Sequence, residues 1–129
     1  MTIANVETIN VNASGAGYTI NSTAYTGLGT LSVTDAANGN VSVTAATTTD
    51  VAASALTGNI AVTGGKDVSS VNDGGTVTIS GAAGSVSAST TALAANAVSI
   101  NGGTDVTYAA TGATTGVITV GGTKASTGS

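Results

Sequence analysis

The residues of this chain best suited to bind an ion are aspartates that follow pairs of glycines. Asp67 and Asp105 take the same place in two similar segments, which read Gly-Gly-Lys-Asp-Val at 64–68 and Gly-Gly-Thr-Asp-Val at 102–106. Carboxylates in turns, together with backbone carbonyls beside glycines, are the oxygen ligands that Ca²⁺ requires. Two more aspartates lie in predicted turns, so the candidate calcium ligands are Asp67, Asp105, Asp73 and Asp35.

The same aspartates have a second interpretation that needs no ion. An Asp side chain in a turn can accept a hydrogen bond from the backbone a short distance along its own chain, which stabilises the turn. The sequence leaves both interpretations open.

The side chains needed for catalysis are scarce. The chain has no His and no Cys, and its two basic residues are Lys66 and Lys124. Ser and Thr hydroxyls need a neighbouring base to act as nucleophiles, so no conventional catalytic triad can be assembled. The acidic residues are scattered singly along the sequence, at Glu7, Asp35, Asp50, Asp67, Asp73 and Asp105. We therefore predict that the protein is not an enzyme.

Charge and hydropathy exclude two further classes of partner. The formal net charge is −4, whereas nucleic-acid binding requires clustered Lys and Arg. No apolar run approaches the length of about 18 residues that a membrane-spanning helix needs. We expect neither nucleic-acid binding nor membrane insertion.

The fold is indicated by a repeated pattern. Apolar and polar residues alternate in four short segments that begin at Ile60, Val77, Val98 and Ile118. Alternation predicts β-strands, and recurrence at a nearly constant interval is typical of stacked repeats. Within each repeat a second short strand follows, and these second strands begin at Val68, Val86 and Val106. The pattern predicts an all-β parallel β-solenoid, or β-helix, with coils of about 20 residues and two short strands in each coil.

Composition favours the same fold over an antiparallel sandwich. The chain has no Phe, Trp or Pro, 6% of its residues are charged, and its mean hydropathy is +0.38. Its short Ala, Val, Thr and Ser side chains suit the narrow core of a solenoid, whereas a sandwich core about 10 Å thick is usually filled by larger residues. The solenoid is expected to be right-handed.

The first half of the chain follows the rhythm less cleanly. Strand pairs are predicted to begin at Ile9 and Tyr18 and then at Leu31 and Val41, but the interval from Leu31 to Ile60 is much longer than one repeat. Residues 44–56 are therefore interpreted as an inserted excursion or an irregular coil. The alanine-rich stretches 51–56 and 91–96 could each form a helical turn. We expect one solenoid segment over 1–129, less regular in 1–58 than in 59–129, that forms part of a larger protein.

Three segments together resemble a known class of protein. They are Thr-Ile-Ala-Asn-Val-Glu-Thr-Ile-Asn-Val at 2–11, Ala-Asn-Ala-Val-Ser-Ile-Asn-Gly-Gly-Thr-Asp-Val-Thr-Tyr at 95–108, and Ala-Thr-Gly-Ala-Thr-Thr-Gly-Val-Ile-Thr-Val-Gly-Gly at 110–122. Through these three segments the chain resembles the lattice-forming region of RTX-type bacterial S-layer proteins such as that of Caulobacter. The complete calcium-binding nonapeptide of that family is absent, because Lys66 and Thr104 stand where a further glycine would be.

The resemblance implies a function and a location. It implies a secreted, calcium-dependent β-solenoid that tiles into a surface layer on the bacterial cell surface. Asp67 and Asp105 are the ligand candidates that match the family motif. The implied partners are further copies of the protein and, through regions outside this chain, outer-membrane polysaccharide. Two other structural functions fit the repeats: a stalk or passenger of a surface adhesin, and an extracellular fibre whose subunits assemble end to end.

Overall fold

The described part of the protein consists of short strands joined by turns. The computed structural model describes residues 5–91, 97–112 and 116–121. In these residues all regular secondary structure is β-strand. The strands are β1 (Thr8–Ala13), β2 (Tyr18–Asn21), β3 (Thr30–Asp35), β4 (Val41–Ala45), β5 (Asp50–Ala55), β6 (Ile60–Gly64), β7 (Val68–Asn72), β8 (Val77–Ser80), β9 (Val86–Thr90), β10 (Val98–Asn101), β11 (Val106–Ala110) and β12 (Ile118–Val120).

The strands form two parallel sheets. Sheet A has the order β1-β3-β5-β7-β9-β11, and sheet B has the order β2-β4-β6-β8-β10-β12. An odd strand and the even strand after it make one coil, so that coils 1 to 6 stack along one axis. The coils differ somewhat in length: the sequence interval between partners is shorter for Val51 and Val68 than for Tyr18 and Val41. The predicted parallel β-solenoid, with coils of about 20 residues, is confirmed.

The core is built of columns, because residues in register lie directly above one another. In β3 to β10 alternate residues point inward and lose nearly all exposure, as Leu31 and Val33 do in β3. The main inward columns of sheet A are Ile9-Leu31-Val51-Val68-Val86-Val106 and Val11-Val33-Ala53-Ser70-Ala88-Tyr108. Those of sheet B are Tyr18-Val41-Ile60-Val77-Val98-Ile118 and Ile20-Val43-Val62-Ile79-Ile100-Val120. Each column buries aliphatic surface against the next coil.

Large and small residues alternate across this thin core. In each sheet the middle column is the one that holds the second inward residue of each strand, Val33 in β3 and Val43 in β4. In coils 3 to 5 that column holds Ala or Ser in sheet A and Val or Ile in sheet B. In coils 3 to 5 these columns fill the space without any side chain larger than Ile.

A glycine column makes the turn at the end of sheet B possible. Gly64, Gly81 and Gly102 occupy equivalent places in three successive coils, with φ of 80°, 72° and 105°. Gly121, which directly follows β12, also has a positive φ, of 73°, but lies one residue earlier in the register. Side chains other than glycine rarely adopt this left-handed region. These positions explain why a glycine recurs after each alternating segment in the second half of the chain.

The prediction for residues 44–56 is wrong. These residues contain β5, which pairs with β3 on one side and with β7 on the other. The long interval arose because Leu31 belongs to sheet A and Ile60 to sheet B, so they are not equivalent. In β5 both an outward residue, Ala52, and an inward residue, Ala53, are alanine, and the alternation therefore cannot be seen in the sequence.

The possible helical turn at 51–56 is also wrong, because parallel pairing on both sides satisfies the backbone of 51–55 as a strand. The second candidate helical turn falls mainly on 92–96, outside the described residues. No helix in the described ranges is long and apolar enough to cross a membrane.

One hydroxyl group in the core has no hydrogen-bond partner. Ser70 is 1% exposed and its Oγ is unpaired, and its column neighbours are Ala53 and Ala88. A buried hydroxyl without a partner costs stability.

We expect Ser70→Ala to raise the free energy of unfolding by about 1 kcal/mol in urea denaturation. Ser69→Ala, on the outer face of the same strand, should change it little, and a loss of stability in Ser70→Ala would show that the hydroxyl is satisfied.

Candidate functional site

The four candidate aspartates lie at two different corners of the solenoid. We call the turn before each strand of sheet A the entry corner and the turn after it the exit corner. Asp67 and Asp105 lie at the entry corner, directly before β7 and β11. Asp35 and Asp73 lie at the exit corner, at the end of β3 and just after β7. The fold therefore separates the candidates into two pairs on opposite sides of sheet A.

Neither pair can share one ion. Asp67 and Asp105 are in the same column but two coils apart, with Ser85 between them. At about 4.8 Å per coil their backbones are separated by roughly 10 Å. Asp35 and Asp73 are likewise two coils apart. In the described ranges no three acidic side chains come together in a way that could hold a metal ion.

Asp67 instead binds the coil that follows it. Its Oδ1 accepts hydrogen bonds from the backbone N–H of Ser85 at 2.7 Å and from the Ser85 hydroxyl at 2.9 Å. The backbone bond from Ser85 is the largest of the interactions that lower the pKa of Asp67 below its usual value. The carboxylate thus joins coil 4 to coil 5.

Like charges in this column are offset by a lysine. Asp50 lies directly below Asp67, and two carboxylates in register repel each other. Lys66 Nζ lies 3.4 Å from Asp67 Oδ2 and 3.7 Å from Asp50 Oδ1. Its hydrogen bond to Asp67 is the main cause of a raised pKa at Lys66. The pairs are half exposed, so each contributes little stability alone, but together they reduce the repulsion at the entry corner.

Other polar residues at the turns bind the next coil in the same way. Asn40 Oδ1 accepts the backbone N–H of Asn59, and Asn59 Oδ1 accepts that of Thr76, both at 2.9 Å. Asp73 accepts a hydrogen bond from the Thr91 hydroxyl. A side-chain oxygen at a corner therefore commonly caps a donor about one coil further along. Sequence reasoning missed the asparagines, although their place directly before Val41 and Ile60 was a signal that could have found them.

Asp35 differs from the other candidates because its side chain points inward. It is 2% exposed, its Oδ1 accepts the N–H of Ala37 at 2.7 Å, and its Oδ2 has no hydrogen-bond partner. Two coils later the same column holds Asn72, which is also fully buried. Asn72 Oδ1 accepts the N–H groups of Gly74 and Gly75, and its Nδ2 donates to the Gly58 carbonyl at 2.8 Å.

The outer surface beside the entry corner is a shallow depression rather than a closed pocket. Its volume is about 280 Å³, and its polar lining includes Asp50, Asp67, Ser69 and Ser85. The hydroxyls and carboxylates there could take up hydrated ions or polar groups of a partner. The described residues around it provide no His, Cys or Arg.

Comparisons with known proteins do not assign a family. No protein-family model matches the chain, and no significant match is found among curated proteins or solved structures.

Asp35 and Asn72 occupy the same buried column, but only Asp35 has a side-chain oxygen without a hydrogen-bond partner. This difference leads to a prediction. A Cβ added to Gly39 would collide with both Asp35 Oδ2 and the Gly15 carbonyl oxygen, so two acceptors lie close together there. In Asp35→Asn the new Nδ2 can donate to a carbonyl, as Asn72 does, and a buried charge is removed. We expect the free energy of unfolding at pH 7 to rise by about 1 kcal/mol.

The matched control for this change is Asp73→Asn, which keeps an acceptor for Thr91 at a partly exposed position. We expect it to alter stability by less than about 0.5 kcal/mol. Equal effects of the two substitutions, measured by urea denaturation, would contradict a special role of burial at Asp35.

The lowered pKa of Asp67 generates a prediction about pH. A carboxyl whose pKa is lower in the folded state stabilises that state above its unfolded value, here 3.8. This stabilisation is lost as the pH falls through the folded-state pKa. We expect Asp67→Ala to lower the melting temperature at pH 7 and to have progressively less effect below pH 3.8.

The control is Asp67→Asn, whose amide oxygen can still accept the bonds from Ser85. Its melting temperature at pH 7 should lie closer to that of the wild type than that of the alanine variant. A pH-independent effect of Asp67→Ala would exclude the charge as its cause.

Proposed function

We propose that this protein is a structural, self-assembling component of the extracellular bacterial cell surface, and that it forms part of an S-layer lattice. The proposal is carried by one observation, the short uncharged side chains on the outer face of sheet B. Its outward residues are Thr19, Asn21, Ser42, Thr44, Ala61, Thr63, Thr78, Ser80, Ser99, Asn101 and Thr119. None is charged and none is long, so another surface can approach the backbone of this face closely.

The repeated side chains of this face suit it to assembly. The same two outward positions recur at each coil, about 4.8 Å apart along the axis. A contact made by one coil can be repeated by the next, and many weak contacts add when two rigid units are aligned. The resemblance of segments 2–11, 95–108 and 110–122 to RTX-type S-layer proteins supports the same function.

In the proposed lattice, Ca²⁺ is bound between neighbouring copies of the protein. Asp67, Asp73 and Asp105 are at least partly exposed at the corners, whereas Asp35 is buried. Ca²⁺ takes six to eight oxygen ligands, so one corner aspartate would supply only part of a site. A second copy would have to provide the rest, and assembly would then depend on calcium.

The adhesin stalk and the end-to-end fibre remain the alternatives. Both use the same stack of coils, but neither requires sheet-to-sheet contact through the outer faces. In all three cases the proposed role is structural rather than enzymatic.

Negative-stain electron microscopy of the purified chain tests the proposal. The protein is imaged with millimolar Ca²⁺, with the same concentration of Mg²⁺, and with chelator. We expect ordered two-dimensional sheets with Ca²⁺ and their loss in chelator. Mg²⁺ at equal ionic strength should not replace Ca²⁺, because it prefers a smaller octahedral site with bound waters.

A variant separates lattice contact from folding. Thr78→Lys places a long charged side chain on the outer face of sheet B, where Thr78 is exposed, and should abolish sheets while the monomer stays folded. Filaments or single rods that are unaffected by chelator would reject the calcium-bridged lattice and favour the fibre or the stalk.

A further inference from the structure

The last described coil leaves its core columns uncovered. Ile118 and Val120 stand in register with Val98 and Ile100. The latter two are 2% and 0% exposed, whereas Ile118 and Val120 are 42% and 48% exposed. The residues of β12 that continue the core of sheet B therefore present an apolar surface at this end of the stack.

The first described coil presents the matching columns at the opposite end. Ile9 and Val11 of β1, and Tyr18 and Ile20 of β2, are only partly buried. Their neighbours in coil 2 are Leu31, Val33, Val41 and Val43, each 1% exposed or less. Within the described residues, β1 and β2 pair on one side only, as do β11 and β12.

A polar pair at the entry corner matches these apolar surfaces. Asp67 in coil 4 accepts the N–H and the hydroxyl of Ser85, the residue directly above it. Asp105 has the same place in coil 6, and Thr8 has it in coil 1. If coil 1 of a second copy lay on coil 6, Thr8 would present an N–H and a hydroxyl to Asp105, as Ser85 does to Asp67.

We propose that a second copy of this chain stacks head to tail, with its β1 and β2 paired in parallel to β11 and β12 of the first. This inference rests on the proposed self-assembly and specifies one of its contacts. It continues the interface that already joins successive coils. Ile9 and Val11 of the second copy would cover Val106 and Tyr108, and its Tyr18 and Ile20 would cover Ile118 and Val120.

The symmetry of this contact determines what it builds. The two surfaces are different, so the contact is heterologous and leaves a free end on each copy. Repeated addition produces an open row of copies with a continuous solenoid axis. Such rows can themselves associate through the uncharged outer faces of sheet B into a sheet.

Cysteine cross-linking tests the contact, because the chain has no Cys of its own. Asn10 and Thr107 are exposed residues of the same outward column. In the proposed stack they would be adjacent, with Cα atoms about 4.8 Å apart, which permits a disulfide. We expect a mixture of Asn10→Cys and Thr107→Cys proteins to form mixed dimers on mild oxidation in chelator.

Two controls define the result. A mixture of Asn10→Cys with Thr63→Cys, which lies on the outer face of sheet B, should give few mixed dimers. Each variant oxidised alone should also give few dimers. Equal dimer formation in the single variants, or no mixed dimers at concentrations up to about 1 mM, would overturn the head-to-tail contact.

Further variants test the two parts of the surface. Each of these variants is made in the Thr107→Cys protein and oxidised with the Asn10→Cys protein. Ile118→Asp should abolish cross-linking, whereas Thr119→Asp on the outward side of the same strand should not. Asp105→Ala should reduce the association constant about tenfold, and Asp105→Asn, which keeps the acceptor, should reduce it less. Circular dichroism of each variant confirms that the monomer is folded.

The two proposals can fail separately. Cross-linking is measured without calcium and in solution, so sheets on grids are not needed for it. Mixed dimers without calcium-dependent sheets would reject the lattice and retain the head-to-tail contact. Sheets without mixed dimers would retain the lattice and reject the head-to-tail contact.

Discussion

Each coil stacks in register on the one before it, and this stacking governs which side chains every position of the solenoid can hold. Parallel pairing places each residue directly above its equivalent in the previous coil, so the side chains of one column must tolerate one another along the whole stack. Aliphatic residues do so by packing, and Val, Ile and Ala supply most of the inward columns of both sheets. Because the two sheets lie close together, the columns also have to be complementary in size across the core. A chain without Phe or Trp can meet this requirement, although it could not fill a thick globular core.

Stacking gives polar residues at the corners a role that their sequence context does not indicate. The backbone N–H groups of Asn59 in coil 3 and of Ser85 in coil 5 donate to the side chains of Asn40 and Asp67, which lie 19 and 18 positions earlier. Each bond satisfies a backbone donor where the strand ladder is interrupted by a turn. The cost of the arrangement is that charges also stack, as at Asp50 and Asp67, and Lys66 reduces this repulsion. A corner aspartate therefore takes part in holding the stack together, whether or not it also binds an ion at the surface.

The same geometry connects the fold with the proposed assembly. A solenoid presents repeated outer faces and two ends that differ from each other. Contacts through the faces repeat from coil to coil, and contacts through the ends repeat the interface between coils. Both kinds of contact use short polar or aliphatic side chains and backbone edges, which are the groups that this composition provides. A polymer or a sheet can therefore be built without a deep binding pocket or a large specific interface.

The class of fold, the coil length and most of the strands could be predicted from the amino-acid sequence. Alternating Val and Ile in β6, β8, β10 and β12 is visible because a β-branched residue inside differs from a polar residue outside. The strand β5 could not be recognised in this way, because alanine occupies both its inward and its outward positions. Only pairing with β3 and β7 decides that these residues form a strand.

For the candidate site, the sequence indicated which residues carry carboxylates and that they lie in turns. It could not indicate which coil each one faces, because that depends on the register between coils whose paired residues are far apart in sequence. The tertiary structure decided that Asp67 is bonded to Ser85 and that Asp35 is buried in the position that Asn72 occupies two coils later. Turn chemistry is local and can be read from neighbouring residues, whereas the partner of a corner side chain is set by the stacking of coils.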